Sequence, residues 1–128
     1  MVAATGTRGM HLAAAVGDAW VTYGRAKSAT DSASAVSIPV LRNQLSLLTD
    51  ACRQQGRDVT ELDRVYLVPA PAQALSSVEA FIALATRCAQ AGITQLVFHY
   101  PVPGTVLDAD LRVFESLSEH ALPLVRTL

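Results

Sequence analysis

Four short apolar runs constrain this chain more than any other feature: Val2 to Thr5, Trp20 to Tyr23, Arg64 to Val68 and Thr94 to Tyr100. Each is followed by a stretch with helical periodicity. The first unit, "VAATGTRGMHLAAAVGDAWVTYG", reads as strand, glycine turn, helix and second strand within residues 2 to 24. Runs this short and apolar belong in a sheet with helices on one face and a packed interior on the other. Right-handed crossovers then make the sheet parallel. The order β-α-β-α-β-α-β-α over 128 residues gives one α/β domain, long enough for a core and too short for two.

The helices carry their own punctuation. Met10 to Val16 is Ala-rich, and Gly17 is placed to end it in the left-handed conformation. Gly24 to Ser37 is a loop rich in Ser, Ala and Thr. Ile38, Leu41, Leu45, Leu48 and Cys52 then form one apolar stripe, with Pro39 in the first turn and Gly56 at the end. Thr60 to Asp63 reads as a short capped turn. After "PAPAQAL", Ser76 and Glu79 read as a capping box. The helix they open turns Val78, Phe81, Ile82, Ala85 and Cys88 inward and ends at Gly92. Pro101 to Thr105 is a loop, and Asp108 to Leu122 is the last helix, with Leu111, Phe114 and Leu117 on one face.

Composition excludes several classes of protein. At 51% hydrophobic residues the chain is not disordered. Its apolar stretches break well before the roughly 18 residues of a membrane span, and its N-terminus lacks signal-peptide order. It reads as soluble and cytoplasmic. A net charge of −1 with interspersed signs disfavours nucleic acid, which needs clustered cations. Cys52 and Cys88 fall on apolar helix faces far outside metal-ligand spacing, so packing is their expected role. No metal cluster, paired carboxylates or Ser-His-Asp set stands out.

Two architectures fit four βα units: a small open α/β sheet, or half of a (β/α)8 barrel. Four collinear segments bear on the choice. "VAATGTRGMHLAAAVGDAWVTYG" resembles the strand-glycine-helix-"DGW" segment of luciferase-like flavin-dependent oxidoreductases. "CRQQGRDVTELDRVYLV" is similar to their "AGRDPAEIDR" connector. "SSVEAFIALATRCAQAGITQLVFHYP" resembles their last capped helix and closing strand. "FESLSEHALPLVRTL" resembles their terminal helix. The chain is most similar to the branch using the deazaflavin coenzyme F-420, where "GLxHLVFHxP" corresponds to "GITQLVFHYP". The resemblance implies a C-terminal half of a (β/α)8 TIM-type barrel, residues 1 to 128 supplying strands five to eight. Four N-terminal strands would then lie elsewhere.

The candidate site residues follow from position and from that resemblance. In Ala4-Thr5-Gly6-Thr7-Arg8-Gly9 a glycine turn leads from strand to helix, pointing free N–H groups and a positive dipole end at one spot. The local pattern fits a phosphate site or an ordinary βα turn. The resemblance adds that the matching "A-x-G-P" turn holds the phosphate side of the cofactor, with Thr7 here in place of Pro. Arg25 and Lys27 follow the second strand. They are either solvated loop charges or, as the resemblance implies, phosphate contacts. His99 shares a strand face with Gln95 and Val97, opposite Leu96, Phe98 and Tyr100. It either borders a cavity at the barrel mouth, as a catalytic candidate, or bonds a backbone carbonyl. Trp20 reads as core, and His11 and His120 as surface residues.

The resemblance implies an oxidoreductase fragment binding FMN or F-420, with F-420 favoured and the main flavin platform on the absent half. A different class of function also fits. A half barrel exposes two strand edges and one sheet face, which suits a non-catalytic assembly module. Its partner is a second copy, forming a homodimer, or a separately encoded N-terminal half. A truncated reading frame without activity is the third possibility.

Overall fold

A computed structural model describes residues 1–24, 37–70 and 73–128. Its order is β1 (Val2–Ala3), α1 (Thr7–Val16), β2 (Ala19–Thr22), α2 (Ile38–Gln54), β3 (Asp63–Leu67), α3 (Val78–Ala91) and β4 (Gln95–Val97). A split C-terminal helix follows: α4 (Leu111–Ser116), a π-helical turn (Leu117–Ala121) and α5 (Leu122–Val125). Short 3-10 turns at Val59–Glu61 and Gln73–Leu75 precede β3 and α3. The fold is α/β, with a four-stranded parallel sheet in the spatial order β1-β2-β3-β4.

That order never reverses, so the sheet is singly wound. The helices follow suit: α1 packs on α2, α2 on α3, and α3 on the π turn and α5. Helices in mutual contact share one side of a sheet, so all of them cover the same face. The register assigns the residues of that face: Trp20 lies beside Arg64, and Thr22 beside Tyr66 and Leu96. Trp20, Tyr66 and Val68 join Leu41, Leu48, Cys52 and Cys88 in the main core, with Leu96 and Phe98 packed against it. The α2 stripe of Ile38, Leu41, Leu45, Leu48 and Cys52 is buried as its periodicity dictates.

The opposite face has no helix over it among the described residues. Ala3, Val21, Val65 and Gln95 lie in one row across it, with Leu67 and Val97 in the next. Val65 is buried between its neighbours, Val21 and Leu67 are half-buried, and Val97 is 42% exposed.

Polar tethers lock the layers. Trp20 Nε1 donates to the Ala4 carbonyl at 2.8 Å, fixing the backbone just beyond β1. Thr22 donates to Gln44 Oε1 at 2.7 Å inside the α2 interface. Arg64 donates from Nε to the Gly92 carbonyl and from Nη1 to the carbonyls of Val59 and Leu62. One guanidinium thereby ties the start of β3 to the end of α3 and to the 3-10 turn. Arg57 Nη1 reaches the carbonyls of Ala14 and Gly17 at the end of α1.

Several expected boundaries move, each for a physical reason. Gly17 is extended rather than left-handed, at φ −84° and ψ 147°. Its requirement is space, because a Cβ there would lie 2.6 Å from the Ala13 carbonyl oxygen. Gly92 does end α3 in the left-handed region, at φ 103°. The α3 cap is Ser77, whose side chain accepts from Ala80 N–H, one residue later than the expected Ser76. β4 is shorter than Thr94 to Tyr100, because it is an edge with a ladder on one side only. The last helix starts at Leu111 behind Asp110, while Asp108 instead accepts from Gly104 N–H in the preceding turn. It also does not run unbroken: Pro123 lacks an N–H and crowds the preceding turn, and the helix widens into the π turn just upstream.

Candidate functional site

In a parallel sheet all strands end at the same edge, and the loops beyond that edge are where ligands of such folds bind. Here those loops begin at Ala4, Tyr23, Val68 and Phe98. The chain's first candidate, residues 4 to 9, lies at this edge, and so does His99.

The glycine turn is not a loop of four residues. Thr7, Arg8 and Gly9 already belong to the first turn of α1, and Gly6 is its N-cap in extended conformation. Gly6 has no side chain to cap the helix, and the first turn holds no acidic residue. The first intrahelical bond runs from Met10 N–H to the Gly6 carbonyl at 3.0 Å. The N–H groups of Thr7, Arg8 and Gly9 therefore precede the helical ladder and carry the positive end of the dipole. Thr5, Thr7 and Arg8 are exposed, while Ala4 and Gly6 are half-buried. Gly9 is small for a packing reason, since a Cβ would stand 2.6 Å from the Ala4 Cβ. It lets α1 lie close against the end of β1. Trp20, through the Ala4 carbonyl, holds the other side of the turn.

Arg25 and Lys27 lie outside the described residues. Gly24, just before them, is left-handed at φ 66°, and a Cβ on it would meet the Tyr66 ring at 2.8 Å. The chain therefore leaves β2 tightly against the core. His99 is exposed, and among the described residues it has no hydrogen-bond partner. It borders a crevice of about 10 Å³ with Asp108 and Leu107. Phe98 beside it packs on Phe81 with ring centroids 5.2 Å apart. The structure thus brings residues 4 to 9 and His99 to one edge of the sheet without joining them. They follow the two outermost strands, three strand spacings or about 14 Å apart. His120 is exposed as expected, and His11 is half-buried on α1.

A far roomier concavity lies elsewhere among the described residues, and the sequence did not announce it. A groove of about 880 Å³ runs between α3, β4 and the C-terminal helix. Phe81, Phe98, Phe114 and Leu117 line it, with Arg64 and Arg126 among its few polar groups. The apolar helix faces were legible, but whether they close on each other depends on how far apart two helices sit.

Among the described residues no cluster of His, Cys, Asp or Glu is arranged to hold a metal ion. No described helix is long and apolar enough to cross a membrane. Cys52 and Cys88 are free and buried. Burial pushes the Cys88 thiol from 9.0 up to about 11, with Arg87 opposing weakly, and burial also raises Cys52. Both thiols stay protonated and unreactive near neutral pH, as a packing role requires. Between pH 9 and about 11 the unfolded chain loses a Cys88 proton that the native state keeps. Stability is therefore expected to fall as pH rises through that window. Urea titrations across it are expected to show a flatter fall for Cys88→Ala than for the parent protein.

No protein-family model matches the chain, and no curated protein matches it. The luciferase-like resemblance rests on the four quoted segments alone.

Proposed function

We propose that this chain is the C-terminal half of a luciferase-like (β/α)8 barrel, and that the start of α1 holds the phosphate side of FMN or coenzyme F-420. The observation that carries the barrel reading is the singly wound sheet with every helix on one face. Doubly wound sheets reverse strand order and cover both faces, whereas barrels never reverse and fill the inner face with their own side chains. Val21, Val65, Leu67 and Val97 form the matching inner face here. The uncapped N–H groups of Thr7, Arg8 and Gly9 support the phosphate reading, and the "GITQLVFHYP" segment favours F-420.

On this reading Arg25 and Lys27 join the phosphate contacts, and His99 borders the cavity in which the flavin would do the redox chemistry. The protein supplies orientation and charge. The flavin platform belongs to the other four strands, so the chain alone is not expected to turn over substrate.

Among the described residues both edges of the sheet are unpaired, which favours a second reading, a non-catalytic assembly module. A two-fold axis along the barrel would set β4 of one copy beside β1 of the next in parallel, and four strands twice over make eight. A separate N-terminal half would complete the barrel equally well.

Sedimentation velocity combined with fluorescence titration of FMN and of F-420 tests both parts. A discrete dimer that takes up one of the cofactors is expected. Val97→Arg, at an exposed position, is expected to give a folded monomer that no longer binds it. A stable monomer that binds flavin would remove the barrel-closure reading. A dimer whose titrations with both cofactors are flat would remove the phosphate site and leave the assembly module.

A further inference from the structure

We infer that the groove between α3, β4 and the C-terminal helix is a binding site for a long-chain carboxylate, independent of the flavin reading. Its volume of about 880 Å³ lies within the range of small-molecule sites, roughly 300–1,000 Å³. The lining is polarised along its length. At one end lie the start of β3, the end of α3 and the end of the C-terminal helix, which bring Arg64, Thr94 and Arg126 to the groove. Toward the other end the walls are Phe81, Phe98, Phe114 and Leu117.

Charge selects the occupant. The groove is lined by two arginines and by no Asp or Glu. The Arg64 guanidinium already serves three carbonyls through Nε and Nη1. Arg126 is exposed and makes no ion pair among the described residues, so its charge is available to an incoming anion. An anionic head beside Arg126 and an unbranched apolar tail against the phenylalanines match both ends at once. A neutral apolar ligand would leave the cationic end unused, and a cationic amphiphile would be repelled by it. Cys88 also lines the groove, but its raised pKa keeps it an apolar wall rather than a nucleophile.

Isothermal titration calorimetry of the full chain with dodecanoate, below its micellar concentration, tests this directly. Saturable one-to-one binding is expected, tightening by up to about fourfold per added methylene from octanoate to dodecanoate. Arg126→Ala is expected to weaken dodecanoate about fivefold and leave methyl dodecanoate unchanged. Ser118→Trp places bulk in the groove from an exposed position and is expected to abolish binding with the circular dichroism spectrum intact. The proposal is overturned by an absence of saturable heat, or by equal binding of dodecanoate and dodecyltrimethylammonium. Undiminished binding by folded Ser118→Trp overturns it too, as does pelleting with phosphatidylglycerol vesicles without uptake of dodecanoate.

Discussion

Replacing Trp20 by alanine is expected to cost about 3–5 kcal/mol, a large share of the roughly 5–15 kcal/mol that holds a domain folded. Trp20 is fully buried between the sheet and its helices, and it is the chain's single tryptophan. Truncation opens a cavity in the main core and leaves the Ala4 carbonyl without its indole donor. Trp20→Phe keeps much of the packing but loses the donor and the volume of one ring, so it should cost less, about 2–3 kcal/mol. Because both variants remove the fluorophore, urea unfolding should be followed by far-UV circular dichroism. The midpoint should fall while the slope stays constant. If Trp20→Phe costs as much as Trp20→Ala, the hydrogen bond and not the packing dominates, and the turn at Gly6 depends on it.

Arg64→Met is the second large effect, expected at about 2–4 kcal/mol. The side chain is half-buried, and its three acceptors belong to two separate segments, the 3-10 turn before β3 and the end of α3. Methionine replaces the aliphatic stem but no donor, so the carbonyls of Val59, Leu62 and Gly92 lose a shared partner. Water reaches part of this site, which keeps the loss below that of a fully buried charge. Arg64→Lys is expected to recover less than half, because a point charge cannot serve a fork of carbonyls. Amide exchange should quicken first at the start of β3 and the end of α3. A uniform change across the sheet would show that Arg64 contributes only to global stability.

How much of this was legible in the sequence depended on whether the cause was local. The α2 stripe was readable because Leu41, Leu45 and Leu48 repeat with the helix period, and the register of that helix follows from it. Gln44, in the middle of the stripe, is a polar residue that periodicity cannot explain. It is there because Thr22 meets it from the sheet. The extent of β4 was overestimated because Phe98 to Tyr100 look like strand residues, yet they have only one neighbouring strand to follow. Pro123 was visible, but the π turn it accompanies was not read from it.

The candidate site divides in the same way. That residues 4 to 9 and His99 lie at one edge follows from parallel strands, which the alternation of elements dictated. That Gly9 belongs to α1 rather than to a loop depends on its contact with Ala4, a distance between elements. Arg64 stood at the head of an apolar run, an unusual place for a guanidinium, and that oddity was the available signal. The groove was not readable at all, since no residue pattern encodes the gap between two helices.

The singly wound order has a consequence for how the molecule comes apart. The substantial contacts among sheet strands, and among the long helices, run between consecutive units only. Such a molecule behaves as a short one-dimensional array, in which each unit is held by its nearest neighbours. β2 and β3 have neighbours on both sides and β1 and β4 on one. Amide protection should therefore peak in the middle pair and decline outward, with the end units opening in advance of global unfolding. The turn after β1 and His99 after β4 thus stand on the two units that fray first. A further unit docked at either end would slow that fraying before it changed anything at the centre.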